Sequence, residues 1–405
     1  MRVTTAFNRV LALPGASVAS VSFTDDGIEI GLRRRGRRWL CPCGRRTRAR
    51  YDTSRRRWRH LDFGACKVWL VADVHRVDCA GCGRVRTEEV PWARPRARHS
   101  RDFEDLTAWL AQRMDKSSIA RMLRCSWEAV DAIVVRVVAD RIDDSRLDGL
   151  VHIGVDEISY RRGHRYLTVV ADHDTGNVVW VSQNRTKDSF EQFFNALGAR
   201  VDALDAVTCD ASSIYLPVAR QRAPEATICL DPFHVITWAG EALDAVWDQQ
   251  RPLFANKIGY RPNRAPVRRA RFALRIGAEK LQPHQRTFIR GLRRERYRLF
   301  RAWELKEQLR DLYRQVRPDD AFTYLKTWIT RAIRSKVTAF INLARRLRKH
   351  FHAIIASIHY GLSNSRLEGI NAKIRVIQRR AYGHPSPESL TAMIYLCLGG
   401  ITITP

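Results

Sequence analysis

Long apolar runs are missing from this sequence. No stretch of about 18 apolar residues occurs, which excludes a membrane-spanning helix. The start, MRVTTAFNRVLALPGASVAS, holds only a weak apolar stretch and does not have the make-up of a signal peptide. With 22 Gly and 15 Pro in 405 residues, the chain is neither fibrous nor low in complexity, and internal repeats are not evident. Acidic residues are also scarce: 42 Asp+Glu face 71 Lys+Arg, a formal charge of +29. That imbalance says little about fold and much about partners. Nucleic acid is the first candidate, because cations that neutralise phosphates release counterions. An acidic membrane surface is the second. A GC-rich genome also raises Arg and Ala content and accounts for part of the charge. Nine Cys, an odd number irregularly spread, fit a reducing compartment better than a disulfide framework.

What is present divides along the chain. Residues 1–95 read as short strands and turns, as in VASVSFTDDGIEIGLRR and KVWLVADVHRVDC. PWARPRARHS reads as a linker. From there the period turns helical, with DFEDLTAWLAQRM, SSIARMLRC and SWEAVDAIVVRVVAD as three helices on short joins. From Val151 the order is β-β-β-α-β-α-β, ending at ATICLD. Residues 235–360 read as long, basic helices, with Trp238, Trp247, Trp303 and Trp328 as packing anchors.

CPCG places Cys41 and Cys43 in one knuckle, and CAGCG places Cys79 and Cys82 in another. Two Cys pairs, each followed by Gly, suit a structural tetrahedral zinc site. The first pair is one residue short, so Cys66, His60 or His75 stand as substitute ligands. Unrelated buried thiols are the alternative. Arg45, Arg46, Arg55, Arg56 and Arg57 crowd the segment between the knuckles, as DNA contact requires. Ile119, Ala120 and Leu123 form one helical face, and Trp127, Val130, Ile133, Val134 and Val137 the next. The RCS join between them fits a helix-turn-helix. Glu128 and Asp131 suit phosphate approach poorly, and an ordinary helical hairpin fits these residues as well.

Asp156 sits inside the apolar strand IGVDEI, where an unpartnered acid is costly. Asp210 ends the apolar strand AVTCD. These positions match the first and fourth strands of a ribonuclease-H-like sheet, which are neighbours. Acids so placed can hold two Mg²⁺ ions about 3.5–4 Å apart. Glu368 can supply a third carboxylate. At about 100° per residue, Glu368, Asn371, Arg375 and Arg379 share one helical face, opposite Leu367, Ile370, Ile374 and Ile377. Lys373 and Arg380 extend the basic track. The alternative makes Ser365 and Glu368 a capping box. Glu157 should point to the other sheet face and stays outside the triad. DPFH adds Asp231 and His234, to orient a phosphate or to cap the next helix. Tyr382, Gly383 and His384 read as a turn.

IGVDEISYRRGHRYLTVVAD, VTCDAS, CLDPFHVI and SNSRLEGINAKIRVIQRRAYG resemble bacterial insertion-sequence transposases of the ISL-three family. The resemblance covers nearly the whole chain. It implies a DDE enzyme with Asp156, Asp210 and Glu368 as the triad. The long gap from Asp210 to Glu368 is then a helical insertion before the last acid.

The expected fold is multidomain α+β: a zinc ribbon over 1–95, a helix-turn-helix over 96–147, and a ribonuclease-H-like α/β catalytic domain over 148–234 and 361–405. An all-helical insertion occupies 235–360. The expected function is a DNA transposase using Mg²⁺ or Mn²⁺, two ions per site, with structural Zn²⁺ on Cys41, Cys43, Cys79 and Cys82. Lys373, Arg375, Arg379 and Arg380 are the candidate DNA contacts, with Asp231, His234 and Asn371 as auxiliary groups. Expected partners are the element's terminal inverted repeats and target DNA, with a homodimer or higher oligomer on DNA and a place in the bacterial cytoplasm, at the nucleoid. The rivals are a ribonuclease-H-like nuclease and a catalytically inactive DNA-binding regulator.

Overall fold

The computed structural model describes residues 2–161, 163–256, 265–362, 365–381 and 384–404. Two compact units emerge, one of residues 1–143 with 374–405 and one of 144–373.

The first unit opens with α1 (Val3–Leu11), followed by β1 (Ala16–Thr24) and β2 (Gly27–Arg34). Two short strands, β3 (Trp39–Leu40) and β4 (Arg46–Thr47), form a hairpin. Then come two 14-residue strands, β5 (Arg50–Phe63) and β6 (Cys66–Cys79), and β7 (Arg84–Thr87). The sheet order is β1-β2-β6-β5, with β7 also on β6. The expected short strands are thus joined by a long two-stranded ribbon. Its inner residues Trp58, Val68, Leu70 and Val74 form the core with Ile28, Ile30 and Trp92. PWARPRARHS is no linker. Trp92 and Arg94 are buried, and Arg94 pairs with Glu104, Asp105 and Asp140. A buried cation needs such partners, so this segment is pinned to the helices that follow.

Those helices are α2 (Arg101–Ala111), α3 (Lys116–Met122) and α4 (Trp127–Arg141). Ser100, Asp115 and Ser126 cap them by accepting from the N–H groups of Phe103, Ser118 and Ala129. Ile119, Leu123, Val130, Ile133, Val134 and Val137 are all buried, as their spacing predicts. Asp131 is committed internally. It pairs with the buried ammonium of Lys116, which also lies 3.3 Å from Ser389 Oγ.

The second unit carries β8 (His152–Arg161), β9 (Arg165–Asp172), β10 (Val178–Gln183), α5 (Lys187–Leu197), β11 (Ala206–Cys209), α6 (Tyr215–Arg222) and β12 (Thr227–Leu230). The sheet order is β10-β9-β8-β11-β12, antiparallel through β8 and parallel from β8 to β12. Ile153, Val155, Val207 and Cys209 pack under Phe190, Phe193, Phe194 and Tyr215 of α5 and α6. Helices α7 (Pro232–Asn256), α8 (Ala265–Arg275), α9 (Pro283–Glu295), α10 (Tyr297–Asp311), α11 (Ala321–Ile333), α12 (Thr338–Lys349) and α13 (Phe351–His359) build a separate helical core. Trp238, Trp247 and Trp328 are buried in it and Trp303 packs against it, as the sequence predicts.

Helix α14 (Ser365–Arg380) runs from the second unit into the first, and α15 (Pro387–Leu398) packs against α4. This differs from the sequence division, which kept all of 361–405 with 148–234. Leu390, Met393, Ile394 and Leu396 of α15 are buried, and the helix lies in the first unit. No helix among the described residues is long and apolar enough to cross a membrane.

Candidate active site and zinc centre

The four cysteines come together at the end of the long ribbon. Their sulfurs all lie within 4.8 Å of one another, with Cys41 Sγ 3.8 Å from Cys82 Sγ and Cys43 Sγ 3.6 Å from Cys79 Sγ. Metal–sulfur bonds of about 2.3 Å in a tetrahedron require edges of about 3.8 Å. Each knuckle closes with a glycine in the left-handed region, Gly44 at φ 86° and Gly83 at φ 62°. Gly44 N–H donates to Cys41 O and Gly83 N–H to Cys79 O, each at 2.8 Å. This turn lets the Cys-Pro-Cys pair serve despite its short spacing. Backbone N–H groups of Cys82 and Gly81 pull the Cys79 thiol down to about 7, favouring the thiolate. Burial first, and then the neighbouring thiols of Cys43, Cys79 and Cys82, push Cys41 up to about 12, a cost that a bound cation reverses.

In the second unit, the parallel register sets three acids side by side. β11 pairs Thr208 with Gly154, and two places on it brings Asp210 beside Asp156. β12 pairs Leu230 with Cys209, and one place on it brings Asp231 beside Asp210. Asp210 and Asp231 directly follow the carboxyl ends of β11 and β12, where open α/β sheets bind their ligands, and Asp156 lies midway along β8, two places past its last pairing with β11. Asp210 accepts from Ser212 N–H at 3.2 Å, and Asp231 from Phe233 N–H at 3.2 Å. His234 Nε2 lies 3.7 Å from Asp231 Oδ2. Burial pushes the Asp156 carboxyl up to about 6, against the pull of the Glu157 N–H, and Asp231 and Asp210 raise it further.

Helix α14 reaches this edge through Asn371, whose Nδ2 donates to Asp156 Oδ2 at 2.7 Å. Gly154 permits the approach: a Cβ there would lie 2.5 Å from Leu367 Cδ1. Leu367, Ile370, Ile374 and Ile377 are buried. Glu368, one turn before Asn371, is exposed, as are Lys373, Arg375 and Arg379. Arg380 is engaged elsewhere, since its guanidinium donates to Ala111 O and Gln112 O at the end of α2. The side chain of Ser365, on which the capping box depends, and the turn at Tyr382 and Gly383 lie outside what the structure describes.

Alternation places Glu157 away from Asp156, yet a loop residue ties it to the same cluster. Arg185 Nε lies 3.1 Å from Glu157 Oε1 and Arg185 Nη2 lies 3.8 Å from Asp210 Oδ2. Burial raises Glu157 to about 7. Sequence reasoning missed Arg185, because its own segment, QNRTKD, gives no sign of which strands it will face. Among the described residues, the only His, Cys, Asp or Glu groups that gather three or more ligand atoms within 4.8 Å are the four cysteines. The carboxylates stand wider apart.

Comparison with known proteins adds to this geometry. Residues 153–394 match a family described as transposase, of the ISL3 type. This chain belongs to the ISL3 family of transposases. Residues 88–138 match the helix-turn-helix domain of the same family, and residues 37–82 match the zinc finger of the IS204, IS1001, IS1096 and IS1165 transposases. The transposase for insertion sequence element IS1557 of Mycobacterium tuberculosis is 39% identical over 393 residues, covering 91% of this chain and 86% of that one. The transposase for insertion sequence element IS1001 of Bordetella parapertussis is 28% identical over 382 residues, covering 92% of this chain and 93% of that one. The chain is a DNA transposase with a zinc ribbon and a DNA-binding helix-turn-helix, and the nuclease and regulator readings are set aside.

Proposed function

We propose that this transposase cuts the ends of its element and joins them to target DNA at a site built from Asp156, Asp210 and Glu368. The observation that carries the reading is the Asn371–Asp156 hydrogen bond, which ties α14 to β8 beside the aligned acids. The residues fit a pair of hard divalent cations, Mg²⁺ or Mn²⁺. Carboxylate oxygens are the donors such ions take. Asp156, Glu157, Asp210 and Asp231 put four carboxyl groups in one region, and Arg185 is the cation that Glu157 and Asp210 share. Asn371 Oδ1 is buried and has no hydrogen-bond partner among the described residues. When bound, the ions would activate a water for attack on the phosphodiester and stabilise the leaving 3′ oxygen.

The roles then divide among the residues. Asp156 and Asp210 hold fixed positions on rigid strands. Glu368 closes the donor set from the helix, and Asn371 keeps that helix in register with β8. His234, held near Asp231, is placed to donate to a phosphate oxygen. Lys373, Arg375 and Arg379 hold the strand being cut, and the basic helices of 235–360 clamp the duplex. The first unit recognises the terminal inverted repeats, with zinc on the four cysteines as its structural support. Bringing two ends together calls for a dimer or higher oligomer on DNA. The test is Glu368→Gln in the full chain with a duplex carrying an element end. Retained binding with abolished cleavage supports the reading, and cleavage near the normal rate rejects it.

A further inference from the structure

In the first unit, a cleft of about 300 Å³ lies where three segments meet. The N-terminal sheet and the turn after it give Arg34, Arg35 and Arg38. The knuckle hairpin gives Arg46, and the first residue of α2 is Arg101. Val90, Pro91 and Pro95 form its apolar wall, and Glu89 is an acid on its lining. Arg34 and Arg35 precede the zinc-finger match, and Arg38 and Arg46 lie within it.

The five cations are not equally committed. Arg34 pairs with the buried Glu88, and Arg101 Nη1 lies 3.1 Å from Asp140 Oδ2. Arg35, Arg38 and Arg46 are exposed, and their side chains make no ion pair with any described residue. Burial first, and then the neighbouring Arg46, pull Arg34 down, so Arg46 stands close enough to Arg34 to repel it. A cleft lined by three exposed guanidinium groups with no ion pair among the described residues is suited to an anion with several charges.

We propose that this cleft is a phosphate-binding subsite for one strand of duplex DNA, with Arg35, Arg38 and Arg46 as its contacts. Its volume suits the phosphates and sugars of one strand, with the sugars against the Val90–Pro95 wall. A linear polyanion is favoured over a free phosphate by a second basic cleft of about 340 Å³. That cleft also borders the Glu89–Pro95 segment and contains Arg56, Arg86 and Arg96. The two clefts adjoin, since Glu89, Val90, Ala93 and Pro95 line both. The contact is to backbone, so it positions the duplex and does not read bases.

The proposal rests on the first unit being the end-binding half, and the test keeps the two separable. Full-length protein, R35A/R38A/R46A and R35K/R38K/R46K are titrated by fluorescence anisotropy with an element-end duplex and with a random duplex of equal length. Salt runs from about 50 to about 300 mM. Each lost phosphate contact removes about 0.9 from the slope of log affinity against log salt. The alanine triple should be shallower by about 2–3 and weaken both duplexes by the same factor, about tenfold or more at low salt. The lysine triple should keep the slope, with zinc content and melting temperature unchanged in both variants. An unchanged slope in the alanine triple overturns the proposal. So does a lysine triple as weak as the alanine triple, which would mean damage to the fold. Saturable binding of inorganic phosphate alone, with the duplex slope unaltered, makes it a small-anion site and also overturns it. If the wild-type protein binds both duplexes equally, end recognition lies elsewhere, while the slope comparison still decides the cleft.

Discussion

Asn371 Nδ2 donates to Asp156 Oδ2 at 2.7 Å, joining residues 215 positions apart. The bond holds the helix that carries Glu368 against the first strand of the sheet. A hydrogen bond to a charged group contributes about 1.5–3 kcal/mol. Asn371→Ala should therefore slow cleavage about tenfold to a hundredfold at saturating DNA and raise the Mg²⁺ needed for half the maximal rate. Asn371→Asp should do worse, since it adds a like charge beside Asp156. Cleavage assays over a Mg²⁺ series decide this, and a rate within about threefold of normal would mean that other contacts hold the helix.

Glu368→Gln, Asp156→Asn and Asp210→Asn should share one defect, because three donors to one site act as a unit. Binding to an element-end duplex should stay near normal while cleavage is abolished. Arg375→Ala should instead weaken binding and retain cutting at high protein concentration. Gel-shift and cleavage assays on the same preparations separate the two patterns. Equal loss of binding in all four variants would count against the division of labour.

Cys79→Ser should release zinc and unfold the ribbon end, since binding and folding are linked in such sites. The wild-type protein should carry about one zinc per chain, measured by elemental analysis of freshly purified, reduced protein. Zinc-free protein with an unaltered melting curve would leave the four sulfurs without a structural metal.

In the same unit, Lys116 and Asp131 tie α3 to α4. Lys116 is 3% exposed, and its ammonium stands 4.8 Å from the Trp127 ring as well as beside Asp131. Asp131→Asn leaves that charge buried and unpaired, at a cost of about 3–5 kcal/mol. Lys116→Met with Asp131→Asn should recover most of the loss. Chemical denaturation of the single and double variants measures the coupling, and additive losses would rule out the pair as the source.

The sequence exposed most of the chemistry and less of the packing. Cys41, Cys43, Cys79 and Cys82 were legible because knuckles are local. The neighbouring positions of Asp156 and Asp210 were legible because an acid is conspicuous inside or at the end of an apolar strand. The Leu367, Ile370, Ile374, Ile377 face fixed which side of α14 is buried. Contacts between distant segments were not legible. PWARPRARHS looks like a linker because its prolines and arginines have no local periodicity, yet Arg94 is buried and pairs with Glu104 and Asp105 on the next helix and with Asp140, 46 positions on. The pairing of α15 with α4 depends on two apolar faces about 250 residues apart, and either face alone fits many partners. Arg380 looks like part of a DNA track until the end of α2 gives it two carbonyls.

Asp156 also makes the metal-free protein sensitive to pH. Its carboxyl is raised from 3.8 to about 6, first by burial. The folded chain therefore holds this proton more tightly than the unfolded chain. In the window from about pH 4 to about pH 6, stability falls as pH rises, and above it the full penalty of about 3 kcal/mol applies. Asp156→Asn removes that dependence. In EDTA, wild-type protein should lose about 2–3 kcal/mol more than Asp156→Asn between about pH 4.5 and about pH 7.5. Mg²⁺ at the higher pH should restore stability to the wild type and not to the variant, since a ligand that binds only the folded state stabilises it. Cleavage should fall as pH drops below about 6, where protons displace the cation from Asp156. Denaturation curves at both pH values, with and without Mg²⁺, check each step. Parallel pH trends in the two proteins would mean that Asp156 is ionised without cost, and that its placement among the strand-end acids does not depend on a metal.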